Sequence, residues 1–173
     1  MPITDKIATA KRISELLNSI IKHGDFRLKY KITVDPPLPE ERDWETPVIL
    51  VDMSVWIELL AGRAERPTDD QLAQFVTCGP IVQEVLQGLR TGRDSVAFQE
   101  SFLALPCLSD PMPLSLFLDA AEIYREGRRK GHTMLSTTDC LIAAIAIDNA
   151  VPMWHRERDY DAIAKYTPLR MSR

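Results

Sequence analysis

The sequence predicts an α/β fold: a three-layer sandwich around a central parallel sheet, with a helix–strand extension in front of it. Three observations carry that expectation. Short apolar runs at 48–51, 105–108 and 151–154 alternate with segments of helical periodicity, the order that winds helices over both faces of a parallel sheet. The segment 139–149 is apolar almost all round, as an interior helix must be. Residues 1–46 follow a separate pattern that closes in a proline-rich stretch.

Taken in order, apolar Ile7, Ile13, Leu16, Leu17, Ile20 and Ile21 mark an amphipathic helix over 4–22, stopped by Gly24. Phe26, Leu28, Tyr30, Ile32 and Val34 then alternate with Arg27, Lys29, Lys31 and Thr33, which predicts a strand with one basic face. Pro36, Pro37, Pro39 and Pro47, interleaved with Asp35, Glu40, Glu41, Asp43 and Glu45, predict a linker. The division expected is therefore an extension at 1–46 and a main domain at 47–173.

Val48-Ile-Leu-Val51 reads as a strand buried on both faces, ended by Asp52. A helix over 55–60 follows, for which Ser54 is placed near the N-cap. Further helices are expected over 68–77, 79–90 and 93–104, with Pro80 in a first turn. A short strand at 105–108 precedes a helix over 115–130 that Gly131 closes. The helix at 139–149, the strand at 151–154 and a short terminal strand near Leu169 complete the chain.

Composition narrows the class. Of 173 residues, 45% are hydrophobic and 27% charged, which is ordinary for a folded domain. The longest apolar run, from Cys140 to Ile147, is far shorter than the ~18 residues of a membrane span, and the polar start is no signal peptide, so a cytoplasmic protein is expected. Cys78, Cys107 and Cys140 lack zinc-ligand spacing and read as small buried hydrophobes. The net charge is −4, and since the first 47 residues carry eight basic and eight acidic groups, the whole negative excess lies beyond them. That excess is either a solvated surface or a set of carboxylates converging on a divalent cation.

The positions of the acids favour convergence. Asp52 stands at the carboxyl end of the first strand, where open parallel sheets build their sites. Glu84 shares its helix neighbourhood with Ile81, Val85 and Leu89, a costly place for a carboxylate unless something compensates. Asp139 opens the apolar helix, and Glu157 and Asp159 follow the last strand. Magnesium takes hard oxygen ligands and keeps several waters, so carboxylates on separate rigid elements suit it. Such an ion makes hydroxide available near neutral pH for in-line attack on a phosphodiester.

Four segments then resemble a known family. Val-Asp52-Met-Ser54-Val-Trp-Ile, Gly79-Pro-Ile-Val-Gln-Glu84-Val-Leu-Gln-Gly-Leu, Thr138-Asp139-Cys-Leu-Ile-Ala-Ala-Ile-Ala-Ile and His155-Arg-Glu-Arg-Asp159-Tyr-Asp-Ala-Ile look like the four motifs of VapC-type PIN domains. The resemblance runs from about residue 47 to the C-terminus. It implies a PIN-like fold and a Mg²⁺- or Mn²⁺-dependent endoribonuclease acting on structured RNA such as tRNA or rRNA. It also implies a toxin restrained by a cognate antitoxin protein and often a homodimer. The family's acids fall on Asp52, Glu84, Asp139 and Asp159, with Glu157 competing for the fourth place.

This chain departs from the pattern in places. Met53 replaces a common Thr, Leu135 and Ser136 stand where many relatives carry a basic pair, and Arg156 with Glu157 replaces a polar residue and Asp. Ser54 is weighed equally as a helix cap and as a group that positions water. Arg156 is a candidate phosphate contact, and Arg128, Arg129 and Lys130 stand in for the missing pair or form a solvated helix end. Trp56 and Trp154 read as core aromatics and His155 as a hydrogen-bonded histidine.

The stretch from Ala10-Lys-Arg-Ile to Val34-Asp-Pro-Pro is weakly similar to the opening of some KH-like RNA-binding domains, but it has no GxxG loop, so a complete module is excluded. Residues 1–46 are expected to be dispensable for catalysis. Two other readings compete with the nuclease. One is a catalytically weakened PIN-like module that binds RNA or a protein without cutting. The other, a haloacid-dehalogenase-type phosphatase, fails because Asp52-Met-Ser lacks the second Asp that chemistry requires.

Overall fold

The computed structural model describes residues 3–23, 47–89, 93–132 and 136–172. The expected strand at 26–34 and the proline linker lie outside the described residues. Among the described residues four strands, β1 (Ile49–Val51), β2 (Phe75–Cys78), β3 (Cys107–Leu108) and β4 (Met153–Trp154), form one sheet in the order β3-β2-β1-β4, parallel throughout. Leu50 sits in register with Val76 on one side and Met153 on the other. Met171 adds a single parallel bridge to Met153, where the short terminal strand was expected. The chain winds outward from β1 to β3 and then returns to place β4 on the opposite side of β1. The order therefore reverses between β1 and β4, and the crevice beyond their carboxyl ends is where such sheets hold their ligands.

All four residues of β2 are buried, so helices cover both faces of the sheet. These are α1 (Ile3–His23), α2 (Met53–Leu60), α3 (Asp69–Leu72), α4 (Gly79–Gly88), α5 (Arg93–Leu103), α6 (Leu114–Arg129), α7 (Thr137–Asp148) and α8 (Arg158–Ile163). The α/β sandwich is thus present, with one correction in its middle. Instead of one helix over 68–77, the chain makes a single turn, α3, fixed by a capping box between Thr68 and Gln71, and then enters β2. Phe-Val-Thr-Cys is a β-branched and aromatic run, and pairing with β1 and β3 on its two edges outweighs its continuation of a helical pattern. The other expected elements occur with small shifts at their ends, and Gly131 takes the left-handed φ of 85° that closes α6. Residues from Cys140 to Ala146 in α7 are nearly all buried, as the all-round apolar pattern predicts. Cys78 and Cys140 are buried and Cys107 half-buried. Among the described residues no helix is long and apolar enough to cross a membrane.

The core is organised around Trp56, which is fully buried and meets Phe75, Phe98 and Phe102 edge-on at 5.1–6.0 Å. Its indole N–H donates to the Val51 carbonyl at 3.2 Å, tying the start of α2 to the end of β1. Helix α1 belongs to this same core. Ala10, Ile13 and Leu17 lie on one stripe and are buried where α1 packs against α5 and α3. Ile7, counted with the apolar stripe, is instead half-exposed. The exposed Arg12–Glu100 ion pair also spans α1 and α5, but its exposure limits its worth.

Truncating a wholly buried isoleucine leaves a cavity as well as losing transfer energy. Ile13→Ala is expected to destabilise the protein by about 2–4 kcal/mol, measured by urea unfolding. A loss below about 0.5 kcal/mol, typical of an exposed position, would show that α1 is not part of the cooperative core.

Candidate active site

Asp52 lies at the reversal point of the sheet. Its backbone N–H donates to the Trp154 carbonyl at 3.0 Å, continuing the β1–β4 ladder, and the chain then turns into α2. The side chain caps that helix, with Oδ2 accepting from the Ser54 N–H at 2.9 Å. The cap is therefore Asp52 and not Ser54, because the acid is the last extended residue before the helix. Ser54 has another role: its hydroxyl donates to the same Oδ2 and accepts from the Arg156 N–H at 3.0 Å. The Tyr160 hydroxyl donates to Oδ1 at 3.0 Å. With these bonds both oxygens of Asp52 are hydrogen-bonded although the residue is only 3% exposed.

Tyr160 was given no role by sequence reasoning. The available signal was its place beside Asp159 on the face of α8 that Ile163 also buries, since a buried phenol needs a partner.

The other acids surround Asp52 from separate helices. Glu84 is half-buried on α4 between buried Ile81 and Val85, and burial followed by the charge of Asp52 pushes its pKa up. Asp139 stands in the first turn of α7, where its N–H donates to the Ser136 hydroxyl, the true cap of that helix, at 3.3 Å. Burial, then Asp52, Asp159, Glu84 and Glu157 in that order, push the Asp139 carboxyl up to about 7. Asp159, in the first turn of α8, accepts from the Ser136 N–H at 3.1 Å. Glu157 precedes α8 and is exposed, and its carbonyl accepts from His155 Nδ1–H at 2.8 Å. The five acids singled out from sequence therefore act on one another in one region. Among the described residues, however, no three are drawn together tightly enough to form a ready ligand group.

The basic candidates are distributed differently. Arg129 pairs with Glu122 and Glu126, and Lys130 with Glu126 at 3.3 Å, so both serve a surface ladder along α6. Arg128 is exposed in the same last turn. Arg156 is exposed too, and its charge adds to the lowering of the Glu58 pKa that the Arg63 hydrogen bond chiefly causes. The charges that raise Asp139 are carboxylates without exception. A donor set of hard oxygens in which the described residues' charges on Asp139 are all negative fits a divalent cation of the magnesium type.

His155 is held between the Glu157 carbonyl and the Met171 sulfur, 3.1 Å from Nε2, as a hydrogen-bonded histidine. Trp56 is a core aromatic, and Trp154 is half-buried edge-on to Phe75.

With its parallel sheet flanked by helices, this chain matches the PIN domain over residues 49–166. The chain belongs to the PIN-domain family, and its likeness within it is to the VapC type. It is 35% identical over 129 residues to VapC ribonuclease Mb1587 of Mycobacterium bovis, covering 70% of this chain and 96% of that relative. The same figures hold for ribonuclease VapC11 of Mycobacterium tuberculosis, strains CDC 1551 and H37Rv. Helix α1 lies outside the matched segment.

Burial, and then the neighbouring carboxylates, make the charge on Asp139 a burden in the metal-free protein. A carboxyl raised from the ordinary 3.8 to about 7 favours the fold at low pH, and that contribution is lost as pH rises through about 7. In EDTA at pH 8, Asp139→Asn should melt about 3–8 °C above the wild type, and the gap should narrow at pH 5. Equal melting points at pH 8 would contradict the electrostatic account.

Proposed function

We propose that this chain is a Mg²⁺- or Mn²⁺-dependent endoribonuclease that hydrolyses RNA phosphodiester bonds and serves as the toxin of a toxin–antitoxin pair. The observation that carries this reading is that burial, and after it the charges of Asp52, Asp159, Glu84 and Glu157, push Asp139 up to about 7. Asp52, Glu84 and Asp139 are the residues to hold the cation, with Asp159 as the fourth acid and Glu157 as its competitor. When bound, such a cation supplies a hydrolytic nucleophile at neutral pH and Lewis-acid stabilisation of the leaving oxygen.

The chain's own groups do the positioning. Ser54 and Tyr160 orient Asp52, and Ser136 links Asp159 to the helix that carries Asp139. A protein nucleophile is not required.

The likeness to VapC ribonucleases supports RNA, tRNA or rRNA among it, as substrate. Arg156 and Arg128 are exposed and are our choice for phosphate contacts; Arg129 and Lys130 are committed to Glu122 and Glu126. An apolar groove between α2 and α4, lined by Met53, Trp56, Ile57, Leu60 and Val85 with Glu84 at its edge, supports a protein antitoxin seated beside the acids. Exposed Leu114, Phe117 and Leu118 on α6 support a homodimer. A cytoplasmic setting belongs to the same reading. Within the chain, 47–173 carries the chemistry, and the extension at 1–46 contributes α1 to packing.

Incubating structured RNA with the protein in Mn²⁺ or EDTA tests the proposal. Cleavage is expected in Mn²⁺ alone, and Asp52→Asn and Asp139→Asn should each reduce it by about 100-fold or more. Undiminished cleavage in both variants overturns the site assignment. RNA binding without cleavage by the wild type would instead favour the non-cutting module.

A further inference from the structure

The hydrogen bonds on Asp52 are shared unequally between its two oxygens. Oδ2 accepts twice, from the N–H and from the hydroxyl of Ser54. Among the described residues Oδ1 accepts once, from the Tyr160 hydroxyl. Each carboxylate oxygen has about two lone-pair directions, so Oδ2 is filled and Oδ1 keeps one direction free. Resting on the reading that a divalent cation occupies this pocket, we propose that Tyr160 is a positioning residue for that cation. Together with Ser54 it leaves Asp52 a single oxygen, Oδ1, and a single direction on it to offer, so Asp52 engages the ion through one oxygen and not two.

The phenol cannot easily turn away. Tyr160 has no exposed surface, and its ring stands edge-on to His155 at 5.1 Å and 63°. His155 is in turn held by the Glu157 carbonyl and Met171. The helix that carries Tyr160 is tied at its first turn by the Asp159–Ser136 bond. The hydroxyl is thus presented to Oδ1 by a rigid surround, and it competes with a cation for the electrons of that oxygen.

Tyr160→Phe removes the hydroxyl and keeps the ring. Without metal, a buried carboxylate oxygen then lacks its donor, a loss that a bound cation can make good. In EDTA the variant is expected to melt about 3–8 °C below the wild type, and saturating Mn²⁺ should recover most of the difference. By linkage, Mn²⁺ alone, titrated with the free ion followed by electron paramagnetic resonance, should bind the variant about 3–10-fold more tightly.

An equal melting loss with and without Mn²⁺, or an unchanged or weakened affinity, overturns the inference and leaves Tyr160 as a packing residue. Should Tyr160→Phe fail to fold, Ser54→Ala opens one direction on Oδ2 and must tighten Mn²⁺ in the same sense, and failure to do so overturns it equally. A wild type that takes up no Mn²⁺ overturns the metal reading and this inference together. Uptake by the wild type with no change in the variants overturns this inference alone.

Discussion

A carboxylate that is almost wholly buried survives in this fold because both of its oxygens are hydrogen-bonded, and the arrangement of the site follows from how Asp52 meets that requirement. The donors come from far apart in the chain. Ser54 is two residues on, at the start of the next helix, whereas Tyr160 comes from the short helix after the last strand. The Arg156 N–H, donating to the Ser54 hydroxyl, ties the two regions again. Satisfying one buried charge therefore fastens the carboxyl ends of β1 and β4 to α2 and α8. Those are the elements that border the crevice of the parallel sheet.

Once Asp52 is fixed, the remaining acids create a stress that the described side chains do not relieve. Glu84 and Asp139 are pushed toward protonation by burial and then by neighbouring negative charge, and Arg129 and Lys130 are paired with Glu122 and Glu126. Stability alone would disfavour such a cluster. Groups whose pKa is shifted by burial and by neighbouring charge concentrate at functional sites. The core beneath the cluster offsets the cost. Trp56 and its three phenylalanine neighbours stabilise the base of α2, and α1 extends that packing across α5 and α3.

Much of this was legible in the chain before any coordinates. Three of the four strands, the interior character of α7 and the five acids follow from apolar runs, periodicity and position at element ends. Two misreadings have clear physical causes. Phe75-Val-Thr-Cys continued a helical pattern, and its strand character came from partners on both edges that lie far off in sequence. Ser54 looked like a cap because serine favours that place, but Asp52 is also a good cap and is the residue with extended geometry. The partners of Arg129 and Lys130 were local, one or two helical turns back, and could have been found from the spacing of Glu122 and Glu126 alone.

By itself the sequence determined which side chains are available and along which elements they run, because burial periodicity and the chemistry of strand ends are local properties. It determined an α/β chain with carboxylates at the ends of its elements. Tertiary structure decided which of those groups share a field, which oxygen of Asp52 each donor takes, and that α1 joins the core. The reason is distance: the Tyr160–Asp52 bond and the Asp159–Ser136 bond each close a long loop of chain, and no local pattern encodes a partner that only the folded sheet brings near.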